Sequence, residues 1–398
     1  MDPLVITEAE TRRGFDLTSE EAEQLNRAGR LLASGPYWRD EEDQPERRVV
    51  ECTQHADGWE IKARHIIGVI GLGDRALHIQ PKIPLLHLMY LFAEAGVTPR
   101  LDTHLTGVQP DSEFVEVVAA WFITTIHRLV RLGLHRDYQE LEEETSALQG
   151  QLVIPPTFLS LMRGQPYFTC RFDDYTYDNP PNRVIAEALR RLQRIPDLDT
   201  ERRRQARGLL SEFPPTGAMS LNDLRYQPDR NALRYQTPLE LARQIIASTG
   251  RRPEPGRDAG VGFVIPTPTN VENGLRNALQ RLVPSTIKPH KRSRPLDGGF
   301  TIEPDLVFGQ DSAVGDVKYR ILGEKWNRSD VFQLTTYAAA YETTLGILIG
   351  FSNHLQEIDD LLVGPHRLRQ FAWVASDDTD PSEEAARLAE AVVDFLES

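Results

Sequence analysis

The sequence predicts a multidomain α+β protein: a strand-rich N-terminal domain over residues 1–96, a mostly helical middle segment over 97–250, and a C-terminal α/β domain over 258–398. Three observations carry this. The 398 residues exceed what one hydrophobic core accommodates, since domains run to roughly 100–200 residues. The apolar pattern changes from short β-like runs to helical spacing near Pro84. It changes again, to alternating helix and strand, after Arg251-Arg252-Pro253-Glu254-Pro255-Gly256, whose prolines and glycine mark a boundary.

In the first region Thr18-Ser19-Glu20-Glu21 opens a helix to about residue 32, with Ala22, Leu25, Ala28, Leu31 and Leu32 on one face. Short β-like runs follow at 49–52, 59–61, 66–72 and 76–79. The stretch G-V-I-G-L-G over 68–73 has the look of a dinucleotide loop, but such a loop must open a helix. Here it leads through Asp74-Arg75 into another strand ending at Pro81, so Gly73-Asp74 reads as a hairpin turn and the cofactor reading fails.

The middle segment has helical apolar spacing at 85–95 and 113–132. Residues 182–195 are amphipathic, with Val184, Ile185, Ala188, Leu189 and Leu192 on one side and Arg190, Arg191 and Arg194 on a solvated face. The C-terminal region reads as a helix over 271–283 and strands over 300–308 and 314–319, joined by Gly309-Gln310-Asp311-Ser312. A helix over 329–341, strands over 345–351 and 371–375, and a closing helix over 383–396 complete it.

Composition narrows the function classes. With 59 acidic and 45 basic residues the net charge is −14, whereas a chain that grips DNA over a broad surface is usually basic. Contact with nucleic acid should therefore run through a local patch or a partner. The two cysteines, Cys52 and Cys170, form no CxxC pair, which fits a reducing cytoplasm and argues against a structural zinc site. The N-terminus lacks a signal pattern, and the most apolar stretch, 117–126, is about half the length of a membrane span. A soluble, cytoplasmic protein is expected. No GxxxxGK[ST] loop occurs, so the chain carries no nucleotide motor of that type.

The hairpin after residue 300 carries the sharpest chemical signal. Asp305 precedes one strand and Asp316 and Lys318 lie in the next. Residues two apart on a strand share a face, so Asp316 and Lys318 project together and the turn brings Asp305 alongside. Two carboxylates on an apolar sheet are costly unless a cation neutralises them. A small set of oxygen ligands suits Mg²⁺, with Mn²⁺ as the alternative, held by Asp305 and Asp316. Lys318 is placed to orient a water and to stabilise charge developing on a phosphate. The competing reading of Asp316 and Lys318 is a solvent-facing ion pair, which their apolar flanks count against.

Four further features surround this trio. Gln333 and Tyr337 are one helical turn apart on the next helix, either serving the site or packing on the sheet. Glu272 lies on the preceding helix. There it is either a member of the site or the acceptor of a capping box, Thr269-Asn270-Val271-Glu272. Glu303 shares a strand face with Asp305 and is at best a spare ligand. The run containing Lys288, Lys291, Arg292 and Arg294 is either a phosphate-tracking DNA patch or a solvated loop.

The P-D…D-x-K pattern, with Gln333 and Tyr337 behind it, resembles the signature of the PD-(D/E)xK nuclease superfamily. Ile67-Gly68-Val69-Ile70-Gly71-Leu72 with Leu77-His78-Ile79-Gln80-Pro81-Lys82-Ile83 is similar to the N-terminal signature of McrC proteins. The central D-Y-T-Y-D-N-P-P-N-R over 174–183 and the C-terminal P-D-L-V-F, V-G-D-V-K-Y-R and D-V-F-Q-L-T-T-Y match further McrC elements in order. The segment before Glu272 departs from the family's aromatic-rich version.

The resemblance implies the nuclease subunit of a McrBC-type, modification-dependent restriction system, a type IV restriction endonuclease subunit. It implies a C-terminal PD-(D/E)xK domain with Asp305, Asp316, Lys318, Gln333, Glu272 and Tyr337 as its catalytic set, and Mg²⁺ as the cofactor. It also implies a McrB-like AAA+ GTPase ring that reads modified, usually methylcytosine-bearing, double-stranded DNA, and onto which the N-terminal domain docks to stimulate hydrolysis. The competing reading is an inactive, nuclease-like adaptor that only activates an AAA+ ring. A partner that supplies both motor and DNA affinity accounts for the acidic charge and the missing P-loop.

Overall fold

The computed structural model describes residues 4–33, 48–72, 75–97, 114–230, 232–249, 262–355 and 358–398. The expected turn at Gly73-Asp74 and the boundary at Arg251-Arg252-Pro253-Glu254-Pro255-Gly256 lie outside the described residues. The fold is mixed α/β with several sheets, and the chain forms two compact units. One comprises residues 1–117, 195–197 and 247–398; the other comprises 118–194 and 198–246.

The first unit joins both ends of the chain. Its N-terminal part holds a four-stranded sheet in the order Leu4–Thr7, Ala76–Gln80, Ile66–Gly71, Gly262–Pro266, so a strand from beyond the middle segment completes it. A second, antiparallel sheet orders Thr11–Phe15, Gly58–Ala63 and Val50–His55. The helix Ser19–Ala33 starts in a capping box, with Thr18 N donating to Glu21 Oε2 at 2.7 Å and Glu21 N donating to Thr18 Oγ1 at 3.2 Å. Its buried residues Leu25 and Leu32 join Ile6, Ile61, Ile70 and Val264 in one core. The glycines of the rejected cofactor loop have a packing reason. Gly68 has φ +136°, and a Cβ there would lie 1.9 Å from Phe263 O, so only glycine lets the strand Gly262–Pro266 approach.

The C-terminal part is a six-stranded sheet in the order Pro289–His290, Leu306–Phe308, Ala313–Ile321, Leu345–Ser352, His366–Val374, Leu361–Val363. Its middle three strands are parallel and its outer pairings antiparallel. The helix Arg328–Ala340 covers one face, with Leu334 against Leu348 and Leu368, and Ala338 against Val307 and Val314. The helix Pro381–Glu397 sets Phe395 edge-on to Phe371, on the opposite face. The helix Pro268–Leu282 packs on Leu85–Glu94, where Gly274 permits close approach because a Cβ would sit 2.0 Å from Leu91 O. The strand expected over 300–308 is broken. Thr301–Ile302 pairs with Arg294–Pro295, and Leu306–Phe308 is separate, because Pro304 between them has no N–H to donate.

The second unit adds a sheet to the helices expected in the middle segment. Beside the helices Pro180–Leu192 and Thr200–Glu212 it contains an antiparallel sheet of Asp137–Thr145, Phe168–Thr176 and Gln151–Leu152. Asp137–Thr145 reads DYQELEEET and is exposed or half-exposed along its whole length, so it has no apolar alternation to betray a strand. The D-N-P-P-N-R element proves structural. Asn179 caps the helix by accepting from Asn182 N at 3.3 Å. Asn182 Nδ2 donates to Tyr177 O and His135 O, and Arg183 Nε donates to Asp178 Oδ1 at 2.6 Å. Arg190 and Arg191 both pair with Glu187 on the same helix. Cys52 and Cys170 are free and buried. Among the described residues no helix is long and apolar enough to cross a membrane.

Candidate active site

The strand Ala313–Ile321 is the spine of the site. Its pairing of Leu306 with Gly315 sets Asp305 beside Asp316, on the face that Val307 and Val314 turn toward Arg328–Ala340. Val317 N donates to Asp305 Oδ2 at 2.9 Å, which fixes the carboxylate at the strand's entrance. Asp316 is only 3% exposed, and Lys318 Nζ stands 2.7 Å from its Oδ2. The solvent-facing ion pair is thereby excluded. Lys318 Nζ also donates to Gln333 Oε1 at 3.0 Å, and Gln333 Nε2 donates to Tyr337 OH at 2.7 Å. Gln333 and Tyr337 are therefore wired to the lysine rather than merely packed.

Glu272 is not a capping-box acceptor. The helix begins at Pro268 with Thr267 at its N-cap, so Thr269 already lies inside it and Glu272 falls in the second turn. Burial pushes the Glu272 carboxyl up to about 7, and the nearby charges of Asp305 and Asp316 add to the rise. Asp316 is pushed up to about 6, again chiefly by burial, with Asp305 adding and Lys318 opposing. Asp305 is raised by burial against the opposing Val317 N–H and Lys318 charge. Burial works to lower Lys318, but the close contact with Asp316 and the charges of Asp316, Asp305 and Asp330 leave it raised. Three acids and one lysine thus act on one another within a half-buried cluster.

Two residues escape a reading of the sequence. Arg276, one turn beyond Glu272 and on the same helix face, donates to Asp305 O at 3.0 Å. The i,i+4 spacing is the signal that could have found it. Asp330, 2% exposed and one turn before Gln333, holds the guanidinium of Arg320. The basic run is largely neutralised by carboxylates. Lys291 pairs with Glu303 at 2.9 Å, Arg292 with Asp311 at 2.9 Å and Arg294 with Glu342 at 3.0 Å, while Lys288 is exposed. Only Lys291 of these acts on the acids, its charge lowering both Glu272 and Asp305. Glu303 turns to Lys291 rather than toward the acids.

No cluster of three or more His, Cys, Asp or Glu side chains suited to a metal occurs among the described residues. Asp305 and Asp316 remain as a pair of oxygen donors. Asp316 Oδ2 is buried and receives no well-directed hydrogen bond, although the lysine ammonium stands close to it. An acceptor atom in that state suits a hard cation that draws the rest of its shell from water and substrate oxygens.

The comparisons with known proteins bear on the whole chain. A search of curated proteins returns no match. Among solved structures, the chain is similar to one in a refined half-complex from a tetradecameric assembly of Thermococcus gammatolerans McrB AAA+ hexamers with bound McrC. The two share 18% identity and a TM-score of 0.69, over 98% of this chain and 100% of that one. A chain of the Thermococcus gammatolerans McrBC complex aligns at 20% identity and a TM-score of 0.46, over 70% of this chain and 88% of that one. The family model described as McrBC 5-methylcytosine restriction system component matches residues 61–349, which take in three of the four strands of the N-terminal sheet, the middle unit and the Asp305–Lys318 hairpin. The chain belongs to the McrBC 5-methylcytosine restriction system component family.

Proposed function

We propose that this protein is the Mg²⁺-dependent DNA endonuclease subunit of a McrBC-type restriction system, with a PD-(D/E)xK nuclease domain at its C-terminal end. It docks on an AAA+ GTPase ring, stimulates that ring, and cuts modified double-stranded DNA that the ring supplies. The observation that carries this reading is the convergence of Asp305, Asp316 and Lys318 on one sheet face, with Lys318 locked by Gln333. Burying two carboxylates side by side costs stability, and a module that only docked would gain nothing from it. That argument favours catalysis over an inactive adaptor. Two free, buried thiols fit a cytoplasmic setting.

Bound Mg²⁺, held by Asp305 and Asp316, would supply Lewis-acid polarisation of the phosphate and a more acidic water. The protein's own groups do the rest. Lys318 is aimed by Asp316 and Gln333 so that its ammonium faces the attacking water and the charge developing on the phosphate. Tyr337 fixes the amide of Gln333, and Arg276 fixes the backbone of Asp305. Glu272, titrating near neutrality, is suited to hold or release a proton at the edge of the acid cluster.

The test is cleavage of methylated and unmethylated plasmid by the full chain with a co-purified AAA+ partner, in Mg²⁺, in Mn²⁺ and in chelator. Metal-dependent double-strand cleavage that Asp316→Ala abolishes is expected. Undiminished cleavage by the variant, or by the wild type in chelator, overturns the proposal.

A further inference from the structure

Behind the catalytic face lies a second buried acid that the proposed chemistry does not use. Glu8 is 3% exposed, and the turn that delivers it is strained, with Ala9 at φ +60°. Its Oε1 accepts from Tyr319 OH at 2.5 Å and from Lys82 N at 3.2 Å, and its Oε2 accepts from Thr267 Oγ1. The Lys82 ammonium lies 4.0 Å over the Tyr319 ring. Burial raises the carboxyl against all these partners.

What Glu8 touches is specific. Tyr319 is the neighbour of Lys318, and Thr267 is the N-cap of the helix that carries Glu272. The strand around Tyr319 is irregular. Val317 stands opposite Ile349 and Ile321 opposite Phe351, so Lys318, Tyr319 and Arg320 together face the single residue Gly350. A bulge of this kind lacks the ladder pairing that would fix it, and side-chain anchors must serve instead. Each of its three side chains has a carboxylate: Asp316 for Lys318, Asp330 for Arg320 and Glu8 for Tyr319. Tyr319 also sets its ring edge-on to Phe351 at 5.4 Å.

We propose that Glu8 is a positioning residue of the site: through Tyr319 and Thr267 it holds, from the opposite face, the bulge that aims Lys318 and the helix that carries Glu272. The N-terminal turn thereby becomes part of the nuclease machinery, and Lys82 belongs to the same latch. The proposal rests on the reading of Asp305, Asp316 and Lys318 as the cleaving groups, but the placement of Lys318 can be measured without cleavage.

The experiment compares Tyr319→Phe and Glu8→Gln in the full chain. The first keeps the ring against Phe351 and Lys82 and removes only the hydroxyl, so it is the variant least disturbing to folding. Competitive amine labelling read by mass spectrometry reports the exposure of Lys318 against Lys288 and Lys325. Single-turnover cleavage with the AAA+ partner, DNA affinity and thermal melting are measured alongside. Since misplacing a reacting group by an ångström costs up to about a hundredfold, both variants should lose about tenfold or more in cleavage rate. DNA affinity should hold, Lys318 labelling should rise severalfold, and the two reference lysines should not change. The double variant should be no slower than the slower single one, as groups acting in series require. Wild-type labelling of Lys318 in folded Tyr319→Phe overturns the proposal. Should the wild type fail to cleave at all, the nuclease reading falls, and the Lys318 labelling still decides whether Glu8 positions it.

Discussion

Lys318 donates to Gln333 at 3.0 Å, and Gln333 in turn donates to Tyr337 at 2.7 Å, so the helix Arg328–Ala340 holds the lysine by a two-step wire. Without that wire Asp316 alone would orient a side chain with several free torsions. Gln333→Ala should therefore slow cleavage by about ten- to a hundredfold while leaving DNA affinity and melting temperature near wild type. Tyr337→Phe should cost less, because it loosens Gln333 rather than removing it. A Gln333→Ala enzyme with the wild-type rate would remove Gln333 from the mechanism.

The acid pair makes an opposite demand on stability and activity. Removing one carboxylate from a crowded, buried site relieves repulsion as much as it deletes a ligand. Asp305→Ala and Asp316→Ala should abolish cleavage, and in metal-free buffer both should melt at or above the wild-type temperature. Lys318→Ala should lose cleavage but keep divalent-ion binding, measurable by calorimetry. If all three variants fail to fold, the cluster is a structural ion-pair network instead.

The raised carboxyls also set a pH dependence. Glu272 moves from an ordinary 4.5 to about 7, and Asp316 from 3.8 to about 6, so the fold favours their protonated forms. Below about pH 3 both groups are largely protonated, folded or unfolded, and neither costs anything. As pH rises toward 7 the unfolded chain releases its protons first, and the fold loses stability. The ceiling for Glu272 is about 3 kcal/mol. Metal-free protein should thus melt lower at pH 8 than at pH 5, Mg²⁺ should restore part of the loss, and Glu272→Gln should flatten the slope. An unchanged slope in that variant would show that Glu272 titrates normally.

Much of this site was legible in the sequence because strand geometry is local. A D-x-K triplet shares one face by period alone, and a Gln and Tyr four apart share one helix turn. Glu272 was ambiguous since a capping box and a second-turn acid differ only in where the helix starts, which Pro268 and tertiary packing decide. Arg276 and Glu8 went unseen for another reason. Their partners, Asp305 and Tyr319, are remote in sequence, so no periodicity marks Glu8, and the i,i+4 spacing from Glu272 marks for Arg276 only a shared helix face. The acidic strand Asp137–Thr145 was missed because it buries neither face fully and takes its stability from ladder pairing with Phe168–Thr176.

DNA affinity should be low in the chain alone. With a net charge of −14, duplex binding should sit at best near the non-specific range of about 10⁻⁴–10⁻⁶ M at physiological salt. Each phosphate neutralised adds about −0.9 to the logarithmic salt slope. Lys291, Arg292 and Arg294 already face carboxylates, so neutralising them together with Lys288 should flatten the slope by about one or two rather than nearly four. Tight, methylation-specific binding by this chain alone would overturn the division of labour with a partner.

Docking on the proposed ring has a second candidate surface besides the N-terminal region. There the apolar residues fill the chain's own core, and the strand Ile66–Gly71 is needed to pair with Gly262–Pro266. Deleting about the first hundred residues should therefore unfold the first unit and leave docking unmeasured. The helix Ile154–Met162 of the middle unit, by contrast, leaves Ile154 71% and Met162 72% exposed, with Phe158, Leu159 and Leu161 exposed beside them. Clustered exposed side chains of this size are a recurrent mark of protein contact sites. Fully burying one such side chain stabilises by about 1.5–3 kcal/mol, of which association consumes a part. Ile154→Ser combined with Phe158→Ser should weaken co-elution with the AAA+ partner and cut stimulated GTP hydrolysis by about tenfold or more. Metal-free melting of the first unit should not change, since neither residue belongs to it. Wild-type stimulation by the double variant would clear this helix of any docking role.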